Sequence, residues 1–510
     1  MSKSKRAKES RNAERLKSLE LQAAKKQEVR RQNWLGILAV LCGIALIAIV
    51  CFSVSLYNNG AVMRKRISME SANYQVNNCM LSYYVYEQYR AFVNENYDEL
   101  STTYKLDNQK SLKKQNCTLD DGSWYDYFLS GAQENLRSIL LYAEAAHDAG
   151  MKLDQSDNKA IDARIKELED DAAMQNYTSN EYYKYLYGRG VHEQDLRDCF
   201  TLEALAEKYK QAYVDDAFTC TDAQLNNEFT EDLRNNAAID YLYLTITPKY
   251  QENANEEEKQ VAKKTATEWA EKFKTCTGIA DFQKTAQTYT AERYDIDATN
   301  MPLIEMLNLS VYETIEAANY TDTEFGNAAF DEKVTEGTVI ITGTADTQYT
   351  VYCITKPMYK PSYPTKNVGV IPFSTAYYYS SENALRYAQE AQSDFTENPT
   401  AEHFAQLAKE SCNDYKTIKN NGQYKNVKRH ELATSIDNWI FDEERKENDC
   451  TVITAIDSYY LVWYIGNGEI AWQSEIISNL YAEFETAHLT ELESKFQINV
   501  NKKQMQKLSL

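Results

Sequence analysis

Histidine is scarce in this sequence: there are five in 510 residues, and none between His192 and His403. The ten cysteines are widely spaced and no C-x-x-C occurs, so there is no Cys/His cluster of the kind that holds zinc. No G-x-S-x-G is present either, and no cysteine has a histidine in a related setting, which removes the usual nucleophile–imidazole chemistry. His147, His192, His403 and His488 fall in helix-like runs and read as packed or solvated helix residues; His430 falls in a turn. No Asp-x-Asp-x-Asp-Gly loop points to calcium. No metal, cofactor or conventional catalytic residue is expected.

Proline is the second shortage. All seven prolines lie at or after Pro248, and an interior proline costs a helix about 3 kcal/mol, so residues 57–247 suit long helices. Glycine punctuates this stretch at Gly150 and Gly188. Thr178 with Glu181 and Thr221 with Gln224 have capping-box spacing and open two helices.

Charge is the third, and its absence is local. Arg31 and Arg64 bracket 32 uncharged residues. The apolar part, Leu35 to Leu56, would extend about 33 Å as a helix, enough to span a hydrocarbon core. Residues 1–33 before it hold eleven Lys/Arg against four Glu, leaving 44 basic and 72 acidic residues, a net of −28, in the remainder. The expectation is a cytoplasmic basic segment (1–33), a transmembrane helix (34–57) and an acidic body outside the membrane. Ser53-Val54-Ser55 keeps a cleaved signal peptide as the alternative. A body this acidic repels phosphate backbones, which excludes nucleic acid as a partner.

What the sequence does have is repetition. FDEKVTEGTVIIT at residues 330–342 returns as FDEERKENDCTVIT from Phe441. Phe282 and Ala286 return as Phe404 and Ala408. Around each copy runs the same order: an alternating strand (AIDYLYLTITP; NVGVIPF), two helices, a loop, a short helix ending in Phe, then two strands. Cys412 and Cys450 lie within one repeat and are the preferred disulfide pair, with free buried thiols as the alternative.

Each repeat resembles a parvulin domain. RISMESANYQVNNCMLSYYVYEQY and the helices to residue 233 are similar to the N-terminal chaperone region of SurA-type foldases, and AWQSEIISNLYAEFETAHLTELESKF followed by QINV resembles its returning helix and strand. The resemblance is to the SurA/PrsA/PpiD group of extracytoplasmic foldases. It implies an α+β chain: a mostly helical chaperone domain (62–233), parvulin-like domains at 236–360 and 366–470, and a C-terminal helix and strand (471–510) completing the first.

Parvulins rotate X-Pro bonds, whose barrier is about 18–20 kcal/mol. The resemblance places a histidine pair on the first and last strands, beside a Cys or Asp and an apolar pocket. Here those strands carry Tyr241-Leu242-Tyr243 and Tyr349-Thr350-Val351 in the first repeat, and Val368-Gly369-Val370 and Tyr459-Tyr460-Leu461 in the second. Loss of isomerase activity is therefore expected. The 39 tyrosines suggest adaptable polypeptide contact instead. Tyr241, Tyr243, Tyr349, Tyr459, Tyr460 and Trp463 are the candidate client-binding residues. The expected partners are unfolded or nascent secreted polypeptides, with contact to the translocation exit left open. An isomerase using a Tyr-containing site and a scaffold for one envelope-assembly partner remain the alternatives.

Overall fold

The computed structural model describes residues 25–26, 41–51, 54–56, 58–295, 312–317, 323–456 and 458–508. The basic segment apart from residues 25–26, and much of the expected span (34–40, 52, 53 and 57), lie outside the described residues. Among the described residues no helix is long and apolar enough to cross a membrane. Residues 41–51 are helical, and Leu41, Ile44, Leu46, Ile47, Ile49 and Val50 on them are exposed.

The chain forms two compact units. The first comprises the described residues up to Ala217 together with those from Ala487. It opens with β1 (Ile67–Glu70) and β2 (Gln75–Asn77), followed by α1 (Asn78–Glu95), α2 (Trp124–Asp148), α3 (Gln155–Met174), α4 (Ser179–Tyr187) and α5 (Glu193–Lys210). The expected caps form: Thr178 and Glu181 close a capping box on α4, and Gly188, with φ 91°, ends it. Residues from the QINV segment join the first sheet: β11 (Asn499–Val500) pairs antiparallel with β1, giving sheet order β11-β1-β2. Arg64 and buried Asp195 fasten the start of the unit to α5 through a bidentate pair, with Nε–Oδ1 at 2.9 Å and Nη2–Oδ2 at 2.6 Å.

The second unit runs from Phe218 to Thr486. The chain therefore divides at residue 217 rather than 233. α6 (Asp222–Glu231) falls with the second unit because its Leu225 and Phe229 are buried against Ile239 and Tyr241. Two modules of identical topology follow. The first is β3 (Ala238–Ile246), α7 (Glu256–Lys274), α8 (Ile279–Tyr294), β4 (Tyr312–Ala317), α9 (Glu324–Ala329), β5 (Val339–Gly343) and β6 (Tyr349–Tyr359), with sheet order β4-β3-β6-β5. The second is β7 (Pro364–Ser374), α10 (Ser381–Glu397), α11 (Ala401–Ser411), β8 (Gln423–Val427), α12 (Thr434–Ile440), β9 (Cys450–Thr454) and β10 (Ser458–Ile470), with sheet order β8-β7-β10-β9. α13 (Ala471–Lys495) follows. The two orders match strand for strand, and the sequence-matched Phe282, Ala286, Phe404 and Ala408 are all fully buried.

Strand alternation gives each sheet two cores. In the second module Ile371, Phe373, Leu461 and Trp463 pack under α10 and α11. Val368, Val370, Val462 and Tyr464 face the other way, toward α12 and Phe441. The first core is tight because it uses missing side chains: a Cβ on Gly369 would stand 2.6 Å from the Phe404 ring, and one on Gly422 2.9 Å from it. The helices approach the sheet that closely only where the strands carry no side chain.

Candidate functional site

The first and last strands of the second module, β7 and β10, lie side by side in antiparallel register. Val368 stands opposite Tyr464, Val370 opposite Val462, and Pro372 opposite Tyr460. This face, under α12, is where the resemblance puts the paired imidazoles. No histidine is on it. Val368, Val370, Val462 and Tyr464 are buried on it and Tyr460 is half-buried, so no imidazole stands at the centre of the sheet. His403 is on α11, its Nδ1 2.9 Å from the Asn398 carbonyl oxygen and its Nε2 3.4 Å from Asp394. His430 is exposed in the turn before α12, where its backbone N–H donates to Asp437.

In the first module the corresponding face is aromatic. Tyr243 stands opposite Tyr352, and Tyr241 opposite Ile354. Phe325 of α9 stacks on Tyr352 at 3.9 Å between ring centres and meets Tyr241 edge-on at 4.8 Å. Pairs of this kind add about 0.5–1.5 kcal/mol each beyond area burial. Tyr352 was missed in the sequence, although its place three residues after Tyr349 is enough to set it on the opposite face.

The six candidate client-binding residues therefore do not form one surface. Tyr241, Tyr243 and Tyr460 lie on the faces where the resemblance puts the catalytic residues, and Tyr241 is buried there. Tyr349, Tyr459 and Trp463 point to the helix-covered faces. Tyr349 Oη is 3.3 Å from Thr267 Oγ1 on α7, and Tyr459 Oη 2.8 Å from Ser381 Oγ at the start of α10. Trp463 donates to Asn448 Oδ1 and its ring lies 5.0 Å from Phe395. These three stabilise helix–sheet packing. The expected Cys412–Cys450 disulfide is not formed; both are free thiols in the same core. Burial pushes Cys412 up to about 11 and Cys450 up to about 12, so both stay protonated and inert.

One corner of the second module's α12 face is polar. Lys366 and Arg429 stand beside the ring of Phe441, with Lys366 Nζ 5.5 Å and Arg429 Cζ 4.6 Å from its centre. Lys366 donates to Asn467 Oδ1 at 2.7 Å and the Arg429 backbone N–H to Tyr363 Oη at 3.1 Å. Burial, then the charge of Arg429, lowers the Lys366 ammonium from its ordinary value.

Open space lies elsewhere. In the helical unit a cavity of about 680 Å³ is lined by α3 and α5, which are themselves bridged by ion pairs, with Ile161, Phe200 and Ala204 and the Arg164–Glu203 ion pair at 2.9 Å among its lining residues. In the first module a cavity of about 280 Å³ sits on the helix-covered side, over Trp269 and Tyr289. Among the described residues no group of His, Cys, Asp and Glu is arranged to hold a metal.

Residues 371–462 match the family model described as "Rotamase: PPIC-type PPIASE domain". The second module is thus a parvulin-type rotamase domain, as the repeat order led one to expect, and the first module shares its topology. No curated protein matches the chain. Among solved structures, the foldase protein PrsA from Streptococcus pneumoniae is 19% identical, over 46% of this chain and 71% of that one, with a TM-score of 0.18.

Proposed function

We propose that this chain is a membrane-tethered, extracytoplasmic foldase that holds non-native polypeptide without isomerising it. The observation that carries this reading is a rotamase domain whose paired central strands carry Val368, Val370 and Tyr460, and no histidine, on the face under α12. A proton-bearing pair is missing. What remains is a body able to bind. The cavity between α3 and α5 is wide enough for an apolar client side chain, and its rim charges discourage tight, irreversible association.

The tethering part of the proposal is supported by the uncharged run between Arg31 and Arg64 and by the exposed apolar residues on helix 41–51. An anchor near the translocation exit raises the local concentration of binding sites around emerging chains. The topology is checked by protease treatment of spheroplasts: a C-terminal epitope should be digested while an N-terminal one survives. Protection of both ends would remove the extracytoplasmic part of the proposal.

The functional test uses the full chain in mild detergent with a reduced, aggregating client. Suppression of light scattering is expected, weakened by Ala204→Trp, which fills the cavity. A several-fold excess that leaves scattering unchanged refutes the holding activity. Acceleration of X-Pro isomerisation in a protease-coupled peptide assay refutes the claim of inactivity.

A further inference from the structure

Three basic side chains of the second module are paired with carboxylates, Arg386 with Glu390 at 2.9 Å among them. Lys428 meets Glu475 at 3.5 Å and Arg445 meets Asp449 at 3.4 Å. Lys366 and Arg429 are set apart by sharing one aromatic ring. In a chain of net charge −21, neither forms an ion pair among the described residues, and each stands within 5.5 Å of the centre of the same Phe441 ring. Like charges brought together destabilise a fold unless something else holds them. Here aromatic faces do: Phe441 and Tyr464 for Lys366, Phe441 and Tyr363 for Arg429.

Lys366 spends N–H groups on Asn467 Oδ1 at 2.7 Å and Tyr464 Oη at 3.4 Å and keeps its charge, whereas the Arg429 guanidinium makes no hydrogen bond among the described residues and keeps its donors for a ligand. Lys366 alternates with Val368 and Val370 along β7, so it belongs to the rotamase face, at the rim, where it is only half-buried. Tyr363 is also half-buried, and an apolar contact lies beside the two cations. The combination is an anion site with a greasy neighbour.

We infer that the Lys366–Arg429 corner binds an acidic segment of client polypeptide, taking an Asp or Glu carboxylate between the two cations and the adjacent apolar side chain against Phe441 and Tyr363. The inference rests on the polypeptide-holding reading and names what one face of the rotamase domain would select. It also gives the domain a task that needs no proton transfer. The guanidinium supplies a planar fork for the carboxylate and the ammonium a second point charge.

The test is fluorescence anisotropy of the full chain with three labelled peptides alike except for a central Glu-Phe, Gln-Phe or Lys-Phe. The Glu-Phe peptide should bind about tenfold more tightly than the Gln-Phe peptide, the ratio that 1.4 kcal/mol gives. Raising the salt concentration should erode that ratio. In Lys366→Gln/Arg429→Gln, which keeps long side chains over the rings, the two peptides should bind alike. In Lys366→Glu/Arg429→Glu the preference should pass to Lys-Phe. Equal binding of Glu-Phe and Gln-Phe by the unaltered chain overturns the inference, as does a Glu preference that survives the double Gln variant. In either case intact aggregation suppression leaves the holding activity standing; its loss as well would remove both. Near-UV circular dichroism of each variant confirms that the module is folded.

Discussion

Val368 and Tyr464 stand opposite each other in antiparallel register across β7 and β10, the first buried completely and the second 4% exposed. One is an alkyl group; the other is a phenol that donates to Asn467 Oδ1 at 2.9 Å. Neither shuttles a proton at neutral pH. The chain should leave the rate of cis–trans exchange in an Ala-Pro-Phe peptide unchanged, and Tyr464→Phe should alter nothing in that assay. A rate that falls in Tyr464→Phe would reveal a working phenol site.

Phe404 tests the helix-side core. Its ring is fully buried against Phe395 at 5.0 Å and Trp463 at 5.3 Å. Phe404→Ala should cost about 3–5 kcal/mol in denaturant unfolding. Gly369→Ala at the same contact should cost about 1–3 kcal/mol by overpacking. A Gly369→Ala variant as stable as the parent would mean the ring has room to move.

Arg64 and Asp195 test the helical unit. Asp195 is 3% exposed at its side chain, and its carboxylate also accepts the His192 backbone N–H at 2.9 Å. Arg64→Met strands that buried charge. With the arginine itself about one-third exposed, the expected loss is about 2 kcal/mol, below the figure for a fully buried pair. Arg64→Met/Asp195→Asn should recover part of it, which a double-mutant cycle reads directly.

Asp154 gives a pH dependence. Lys208 at 2.8 Å, the Ser156 hydroxyl at 2.6 Å and the backbone N–H groups of Asp157 and Ser156 hold its carboxyl well below the usual carboxylate range. A depressed folded value means the ionised form favours the fold. That stability is present above the unfolded value, about 4, and is lost as pH falls through the folded one. Asp154→Asn keeps a competent helix cap. It should therefore be less stable than the parent at neutral pH, with the gap closing as the pH drops below about 4. A gap of constant size would assign the effect to capping alone.

Cys412 and Cys450 give a chemical check. With thiols at about 11 and about 12, no more than about one in a thousand is ionised at pH 8. Thiol reagents should label them only after denaturation. A Cys412–Cys450 cross-linked peptide recovered under non-reducing conditions would restore the bridge.

Much of this architecture was legible because it is local or repeated. Thr178, Thr221, Gly150 and Gly188 mark helix ends through their own short-range hydrogen bonds and dihedrals. The FDE phrases mark a domain duplication, and both lead from a short helix into the closing strands. The edge strand β8 was harder. GQYKNV falls within the loop of the sequence pattern because it is short, polar and bent at Asn426, whose φ is 54°. The site suffered from a different gap. Three consecutive strand residues never share a face, so naming Tyr459-Tyr460-Leu461 as one position mixed two cores, and only pairing across about 90 residues shows that Val462 and Tyr464 complete the face. The Lys366–Arg429 corner depends on the same long-range closure and leaves no motif.

The pairing of β1 with β11 has a consequence for how the molecule is made. Met69 meets Val500 and Glu70 meets Asn499, so a ladder opened early in synthesis waits for more than four hundred further residues before it closes. During that interval the helical unit lacks its own edge, while both repeated modules already possess every strand they need. Assembly should thus run from the middle outward. A ribosome that releases the chain short of residue 499 would deliver two finished modules attached to an unsealed helical unit.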